Sequence, residues 1–244
     1  MHSPEPAAAA AVSAGSVTAQ AAGALLLALG FFHLSRRLAR PYLRRWALAW
    51  ACLLIALLAL RVSIAFAARA FWVVFLAAEW YFLAYLLIGC HELARGGGLA
   101  PGARARLPRL LVTGLPAAAI LAGTVAPFFD DFDLLFSLQA AILAAGFGAA
   151  LVALGQAPAA RRAAGFHTLR VALGWLTAQS LLYVPLYLIE GLHRLAGERP
   201  QCAWLGYSPL ADLCGQLLLA LGMVLVSAEE VKGGSAGVLP SRAG

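Results

Sequence analysis

Seven separate apolar segments of membrane-spanning length fill most of this 244-residue sequence. They occupy residues 17–35, 46–66, 70–90, 109–127, 134–154, 168–190 and 208–227. Each is close to the ~20 residues that a helix rising ~1.5 Å per residue needs to cross ~30 Å of hydrocarbon. The sequence therefore predicts an all-α polytopic membrane protein, folded as a bundle of seven transmembrane helices.

The composition leaves little room for a water-soluble domain. Hydrophobic residues make up 62% of the chain and charged residues 12%, an excess that a soluble core cannot absorb. We expect a disordered N-terminal tail at 1–16, a seven-helix membrane domain at 17–227 and a short cytoplasmic tail at 228–244. Because the sequence contains no Walker loop, nucleophile elbow or H-E-x-x-H motif, we expect no enzymatic activity.

The positions of the basic residues predict the orientation. The segments that follow the first, third, fifth and seventh apolar segments hold 13 of the 18 lysine and arginine residues. The N-terminal tail and the other three connections hold only Arg69, Arg194 and Arg199. Because short basic loops stay in the cytoplasm, we expect an N-terminus outside and a cytoplasmic C-terminus, in a bacterial inner membrane. Anionic lipid headgroups explain the flanking arginines, so the bilayer is an expected partner and a nucleic acid is not.

Charged residues inside the apolar segments are informative because a charge at the bilayer centre costs at least ~2.5–3.5 kcal/mol. Arg61 in the second segment and Glu79 in the third lie at similar predicted depths, on either side of the short turn near Arg69. One interpretation is a structural Arg61–Glu79 ion pair. The alternative is that the two side chains border a cavity and are rearranged by a ligand.

Other polar residues also fall in the predicted outer half or near the middle of the membrane. Together with Arg61 and Glu79, they are Gln139, Gln179, Tyr183, Glu190, Asp212 and Gln216. Asp212 and Gln216 are one helical turn apart and share a face. If these faces converge, they form a ligand-binding pocket that opens to the outside. The alternative is that Asp212 and Glu190 are interfacial residues surrounded by water.

Histidines and cysteines offer a different chemistry. His33, His91 and His167 all fall near the cytoplasmic ends of predicted helices, where two facing histidines could bind a haem. Each of them also lies at a position where an interfacial histidine needs no ligand, so we expect no cofactor and no metal. Cys202 and Cys214 are the pair expected on the outer side, where a disulfide is one outcome and free thiols the other.

Two patterns predict how the helices pack. Small residues, including Gly146 and Ala150, form a stripe on the fifth segment that allows close approach of a neighbouring helix, so we expect this helix to be central. Tryptophan and tyrosine residues near predicted interfaces are typical of an aromatic belt in contact with headgroups. These residues are Tyr42, Trp46, Trp50, Trp72, Trp80, Trp204 and Tyr207.

Three stretches resemble a known class of bacterial membrane module. They are Arg40-Pro41-Tyr42-Leu43-Arg44-Arg45-Trp46-Ala47-Leu48-Ala49-Trp50, Leu86-Leu87-Ile88-Gly89-Cys90-His91-Glu92-Leu93 and Leu221-Gly222-Met223-Val224. They resemble the seven-helix N-terminal input modules of membrane histidine kinases and diguanylate cyclases, over roughly residues 30–230. The orientation and the acidic pair Glu229 and Glu230 after the last helix agree with this resemblance.

The resemblance implies a sensory role. The residues after the last segment contain no phosphoacceptor-histidine helix, ATP-binding domain or cyclase domain, so we expect a sensory or ligand-binding module without its own catalytic output. A cytoplasmic signalling protein or a second copy of the chain is the expected protein partner. A membrane protein that binds haem or another cofactor and a small transporter are the alternatives.

Overall fold

The structure, a computed structural model, describes residues 5–66, 70–96, 132–157, 164–197 and 208–236, and within these ranges it is helical, without strands. The six helices are α1 (Glu5–Leu38), α2 (Pro41–Phe66), α3 (Ala70–Ala94), α4 (Phe132–Gly155), α5 (Ala164–Leu195) and α6 (Ser208–Ala236). All six are long and apolar enough to cross a membrane. The predicted all-α fold is thus confirmed for the described residues, with six helices that could span a membrane, whereas the predicted helix at 109–127 lies outside them.

The first and last helices are longer than their apolar segments. α1 begins at Glu5, within the residues for which the sequence predicts a disordered tail, and its first turns are rich in alanine, the residue with the highest helix propensity. α6 continues to Ala236, past the end of the predicted span at residue 227. α2 starts with Pro41, whose fixed φ and missing N–H suit the first position of a helix.

The helices form a closed ring in chain order, with α6 packed against α1. Two neighbouring pairs run parallel. Trp72 of α3 packs against Phe136 of α4 with ring centroids 5.5 Å apart, and Phe82 packs against Phe147 at 6.3 Å, so residue numbers rise together along the two helices. α1 and α6 are also parallel, because Gln20 in the first half of α1 bonds to the carbonyl of Pro209 at the start of α6, and a groove further along both helices is lined by residues 26–34 and 224–231.

The two ends of the ring differ in charge. We call the end that contains Asp133 and Ser208 the cavity end, and the opposite end, which contains Arg40 and Glu230, the basic end. The lysine and arginine residues described in the half of the bundle toward the basic end are Arg36, Arg37, Arg40, Arg44, Arg45, Arg95, Arg170 and Lys232. Those described near the cavity end are Arg61 and Arg194. Positive charge is therefore distributed very unequally between the two ends of the bundle.

The core near the basic end is built around two tryptophans of α2. Trp46 and Trp50 are almost fully buried. Trp46 packs edge-on against Phe31 of α1, and the indole N–H of Trp50 donates to the sulfur of Met223 at 3.3 Å. The prediction that they belong to an aromatic belt is wrong, because one inward face of α2 carries both side chains into the bundle. Tyr42 and Trp80 are buried as well, whereas Trp204 and Tyr207 lie outside the described residues.

Small residues allow close helix contacts where they were predicted. Gly146 of α4 lies directly against the side chain of Leu83 on α3, and Ala150 is fully buried. α4 therefore packs tightly between α3 and α5. Backbones also approach closely between α5 and α6, where Gly165 faces the backbone of Val226 and Gly222 faces that of Leu169.

The outward faces of the helices are apolar. Leu26 of α1 is 71% exposed and Phe66 of α2 is 76% exposed, and large aliphatic residues are exposed on the other helices as well. A soluble monomer rarely exposes contiguous apolar surface on this scale. The surface therefore fits a hydrocarbon environment, in which apolar side chains face lipid.

Candidate ligand-binding cavity

A cavity of about 310 Å³ lies inside the ring, toward the cavity end, and all six described helices contribute to its wall. Its polar lining residues are Gln20, Glu79, Gln139, Gln179, Ser180, Tyr183, Tyr187, Ser208, Asp212 and Gln216. Its aromatic residues other than tyrosine are Trp72, Phe75, Phe82, Phe136 and Phe147. Leucine, valine, alanine and proline side chains complete the wall. The volume and this mixed lining are typical of a site for a small molecule.

Glu79 is held by a chain of hydrogen bonds between α3 and α4. The Gln139 side-chain nitrogen donates to the Glu79 carboxylate at 2.5 Å, and the Gln139 oxygen accepts from the indole N–H of Trp80 at the same distance. An indole can only donate and a carboxylate can only accept, so these two partners fix the orientation of the Gln139 amide. Gln139 thereby positions the acidic group at the wall of the cavity.

Asp212 is held by a second set of hydrogen bonds, between α5 and α6. The Gln179 side-chain nitrogen donates to the Asp212 carboxylate at 2.6 Å and to the Tyr183 hydroxyl at 2.8 Å. The Tyr183 hydroxyl in turn donates to the carbonyl of Ser208 at 3.3 Å. The Gln179 side-chain oxygen is buried and has no hydrogen-bond partner among the described residues. The hydrogen bonds of Gln179 to Asp212 and Tyr183 thus all come from its side-chain nitrogen.

Aromatic rings form a continuous wall beside these groups. Phe136 is in contact with Trp72 at 5.5 Å, with Phe75 at 6.2 Å and, in a stacked arrangement, with Tyr187 at 5.3 Å between ring centroids. Tyr187 contacts Tyr183 at 5.9 Å, which connects the aromatic wall to the hydrogen bonds of Asp212. The cavity therefore has an aromatic surface that leads directly to a polar one.

The ionisable groups of the lining are acidic rather than basic. Glu79 and Asp212 are the carboxylic acids among the described lining residues, and these residues include no lysine, arginine or histidine. The two acids lie on α3 and α6, which occupy opposite positions in the ring. They line the same cavity from two sides.

The structure brings together six of the eight residues that the sequence predicts for the pocket. Those that line the cavity are Glu79, Gln139, Gln179, Tyr183, Asp212 and Gln216. Arg61 and Glu190 do not line it. Glu190 is buried at the cavity end of α5, beside Gly191, which packs against Leu134 of α4.

The predicted ion pair between Arg61 and Glu79 is wrong. Arg61 is exposed on α2 near the end of its span and donates instead to the hydroxyl of Thr18 on α1. Glu79 faces the inside of the ring and binds Gln139. The two residues lie at similar depths, but the rotation of α2 turns the arginine outward, where a long side chain reaches the interface at little cost.

Several lining residues were not predicted from the sequence. Gln20 reaches across from α1 to the carbonyl of Pro209, and the hydroxyl groups of Tyr187 and Ser208 lie 3.3 Å apart. Two signals could have identified some of them. Gln20 is a polar residue inside the first apolar segment, and Tyr187 follows Tyr183 by four residues, so both tyrosines share a helix face.

The predicted histidine and cysteine sites lie away from the cavity. His33 and His167 are exposed near the basic end, and His91 is half-buried there. Over the described ranges, no group of three His, Cys, Asp or Glu side chains could hold a metal ion. Cys214 is a free, exposed thiol on α6, and its predicted disulfide partner, Cys202, lies outside the described residues.

Comparisons with models of known protein families, with curated proteins and with solved structures find no match for this chain. The chemistry of the cavity is therefore the basis for assigning a function.

Proposed function

We propose that this protein is a seven-span protein of the bacterial inner membrane that binds a small ligand in the cavity and serves as a sensory module. Its N-terminus lies outside and its C-terminus in the cytoplasm, so the cavity belongs to the outer half of the membrane. The observation that carries the proposal is the polar and aromatic cavity inside the ring, to which every described helix contributes.

The parallel packing of α3 and α4 supports an odd number of spans. α3 finishes at the basic end and α4 begins at the cavity end, so residues 97–131 connect opposite ends of the bundle. The apolar segment 109–127 lies within this connection. As a helix it would measure about 28 Å, which matches the hydrocarbon thickness. A seventh span therefore accounts for the direction of α4.

The unequal charge of the two ends supports the orientation. Arginines such as Arg37, Arg44 and Arg95 collect at the basic end, and α6 carries Lys232 at the same end. Cytoplasmic ends of spans are enriched in lysine and arginine. The basic end is accordingly cytoplasmic, and the cavity faces the outer leaflet.

The concentration of polar side chains supports ligand binding. Burying polar groups within a membrane is costly, and such groups commonly mark binding sites and transport pathways. A purely structural role would require each group to be satisfied by the protein itself. The side chains that line the cavity include two carboxylic acids and four amides, more polar groups than helix packing requires. Recognition of a ligand explains this cost.

The course of α6 supports sensing. This helix contributes Asp212 and Gln216 to the cavity, and at the basic end its Glu229 accepts a hydrogen bond from the backbone N–H of Gly165 at 3.0 Å. Its Glu230 pairs with Arg40 at 3.3 Å. Small shifts of a packed helix transmit binding events to its far end. A ligand that displaces Asp212 would therefore alter contacts at the cytoplasmic surface, where a signalling protein or a second copy of the chain would bind.

Thermal unfolding with a panel of small compounds tests the proposal. Protein in lipid nanodiscs is heated with cationic, anionic and neutral molecules, because a ligand at one hundred times its Kd stabilises by about 2.7 kcal/mol. Ala140 is buried and lines the cavity, so Ala140→Leu should fill space and abolish the stabilisation. Ala141→Leu, at the exposed neighbouring position, is the control and should keep it.

Two results would count against the proposal. One is that no compound in the panel stabilises the wild-type protein more than it stabilises the Ala140→Leu variant. The other is a stabilising compound whose effect survives Ala140→Leu, which would place its site elsewhere. Uptake of a bound compound into proteoliposomes, absent in Ala140→Leu, would assign transport rather than sensing to the same cavity.

A further inference from the structure

We infer that the ligand of the cavity is a small organic cation, an amine or quaternary ammonium attached to an aromatic or aliphatic body. This inference rests on the proposed function and specifies the chemical class that the site recognises.

The partners of the acidic residues provide the first argument. Outside the cavity, three acids pair with arginine: Glu92 with Arg45, Asp133 with Arg194 and Glu230 with Arg40, at distances of 3.5, 3.0 and 3.3 Å. A fourth, Glu229, accepts from the backbone N–H of Gly165. Inside the cavity, the acids take hydrogen bonds from neutral amides. Glu79 binds Gln139, and Asp212 binds Gln179.

An amide donor orients a carboxylate but does not neutralise it. Acids within membrane spans usually pair with a cation or face a cavity that admits one. The lining described here contains no basic side chain, so the compensating charge is missing from it. A cationic ligand would supply that charge, whereas an anion would add to the repulsion between Glu79 and Asp212.

The aromatic wall provides the second argument. The rings of Trp72, Phe136 and Tyr187 belong to one continuous cluster that lines the same cavity. A cation is attracted to the face of an aromatic ring, and the attraction is stronger where water is excluded. A cluster of aromatic residues with acidic residues beside it suits an organic ammonium group.

The arrangement favours an organic cation over a metal ion. Hard metal ions require several oxygen ligands at 2.0–2.6 Å, as for Mg²⁺ and Ca²⁺. No group of three acidic, histidine or cysteine side chains within metal-binding reach occurs in the described residues. Much of the wall is hydrocarbon, from Leu53 and Leu57 to Phe82 and Phe147. This surface would contact the apolar body of an organic ligand.

Size limits the ligand as well. The cavity of about 310 Å³ is at the lower end of the range for ligand pockets, which is roughly 300–1,000 Å³. It suits a molecule with one ring and a compact ammonium group rather than a phospholipid.

A pair of probes of equal shape tests the charge requirement. Benzyltrimethylammonium is compared with 2,2-dimethylpropylbenzene, in which carbon replaces the nitrogen and the charge is absent. Calorimetric titrations use the full chain in nanodiscs of zwitterionic lipid, corrected for uptake by empty nanodiscs. The wild type is expected to bind the cation at least ten times more tightly than the neutral probe, a difference of about 1.4 kcal/mol.

Substitutions that keep the size of each acid locate the effect. Asp212→Asn and Glu79→Gln should each weaken binding of benzyltrimethylammonium by roughly tenfold, with little effect on the neutral probe. Asp133→Asn is the matched control, because Asp133 is an acid at the same end that pairs with Arg194 and does not line the cavity. The affinity of the Asp133→Asn variant for benzyltrimethylammonium should stay within about twofold of the wild-type affinity.

Other results would overturn the inference. Equal affinities of the wild type for the two probes, or unchanged cation affinity in both acid variants, would mean that the cavity does not select for charge. Failure of the wild type to bind either probe would also reject the cation class. In each case the proposed ligand-binding function is decided separately, by the compound panel and Ala140→Leu. The wild-type comparison needs no substitution and stands even if Asp212→Asn does not fold.

Discussion

Asp212 of α6 accepts a hydrogen bond of 2.6 Å from the side-chain nitrogen of Gln179 on α5, and the same nitrogen also donates to Tyr183. This single amide therefore joins the last two helices and positions an acid at the wall of the cavity. Its oxygen remains without a described partner. Gln179 thus links the packing of the bundle to the chemistry of the site.

The first prediction concerns this pair. Gln179→Leu should destabilise the protein by about 1–3 kcal/mol, because the Asp212 carboxylate loses its donor in a poorly hydrated place. Asp212→Leu should lower the free energy of unfolding less in the Gln179→Leu background than in the wild type. The coupling energy should be at least ~0.6 kcal/mol. Reversible unfolding in mixed micelles measures all four proteins. Gln216→Leu, one turn along α6, is the control, and additive effects of Gln179 and Asp212 would contradict the coupling.

The second prediction concerns Glu79. Glu79→Leu and Gln139→Leu should be non-additive, because each residue satisfies the other and Gln139 also accepts from Trp80. Arg61→Leu should add independently to Glu79→Leu, since Arg61 binds Thr18. The same unfolding assay applies. A coupling energy above ~0.5 kcal/mol between Arg61 and Glu79 would contradict this and show that the two side chains interact.

The polar residues of the site could largely be predicted, because polar groups in apolar segments are costly and therefore conspicuous. Depth could be estimated as well, since it follows from position along a span. Rotation of each helix about its axis could not. Arg61 and Glu79 have similar depths, but α2 turns Arg61 outward. The sequence predicts Trp46 and Trp50 at the interface because it gives their depth but not the rotation of α2. In the structure they face inward and pack against Phe31 and Met223.

The choice of partner also could not be predicted. Gln139 has donor and acceptor atoms that suit many neighbours, and only the packing of α3 against α4 selects Trp80 and Glu79. The same is true of the aromatic wall. Phe136 follows from the sequence as an apolar residue, but its contacts with Trp72 and Tyr187 depend on the arrangement of three helices.

The third prediction concerns the contact between α5 and α6. A Cβ at Gly165 would lie 2.4 Å from the backbone nitrogen of Val226, and one at Gly222 would lie 2.7 Å from the backbone of Leu169. Backbone cannot move aside as a side chain can, so Gly165→Ala and Gly222→Ala should each cost about 1–3 kcal/mol of unfolding free energy. Gly174→Ala is the control on α5, since its nearest neighbour is 4.0 Å away. Equal stability of all three variants would mean that the helices are further apart.

The fourth prediction concerns orientation and uses two exposed alanines. Ala196 follows α5 at the cavity end, and Ala39 separates α1 from α2 at the basic end. In a background with the four native cysteines replaced by serine or alanine, Ala196→Cys should react with a membrane-impermeant thiol reagent in spheroplasts of the expressing bacterium. Ala39→Cys should react only after the membrane is opened, because arginines around it hold that end in the cytoplasm.

The reverse pattern would place the cavity on the cytoplasmic side. Labelling of both sites in sealed spheroplasts would contradict the opposite placement of the two ends. Neither site depends on the cavity, so the experiment separates the topology from ligand binding.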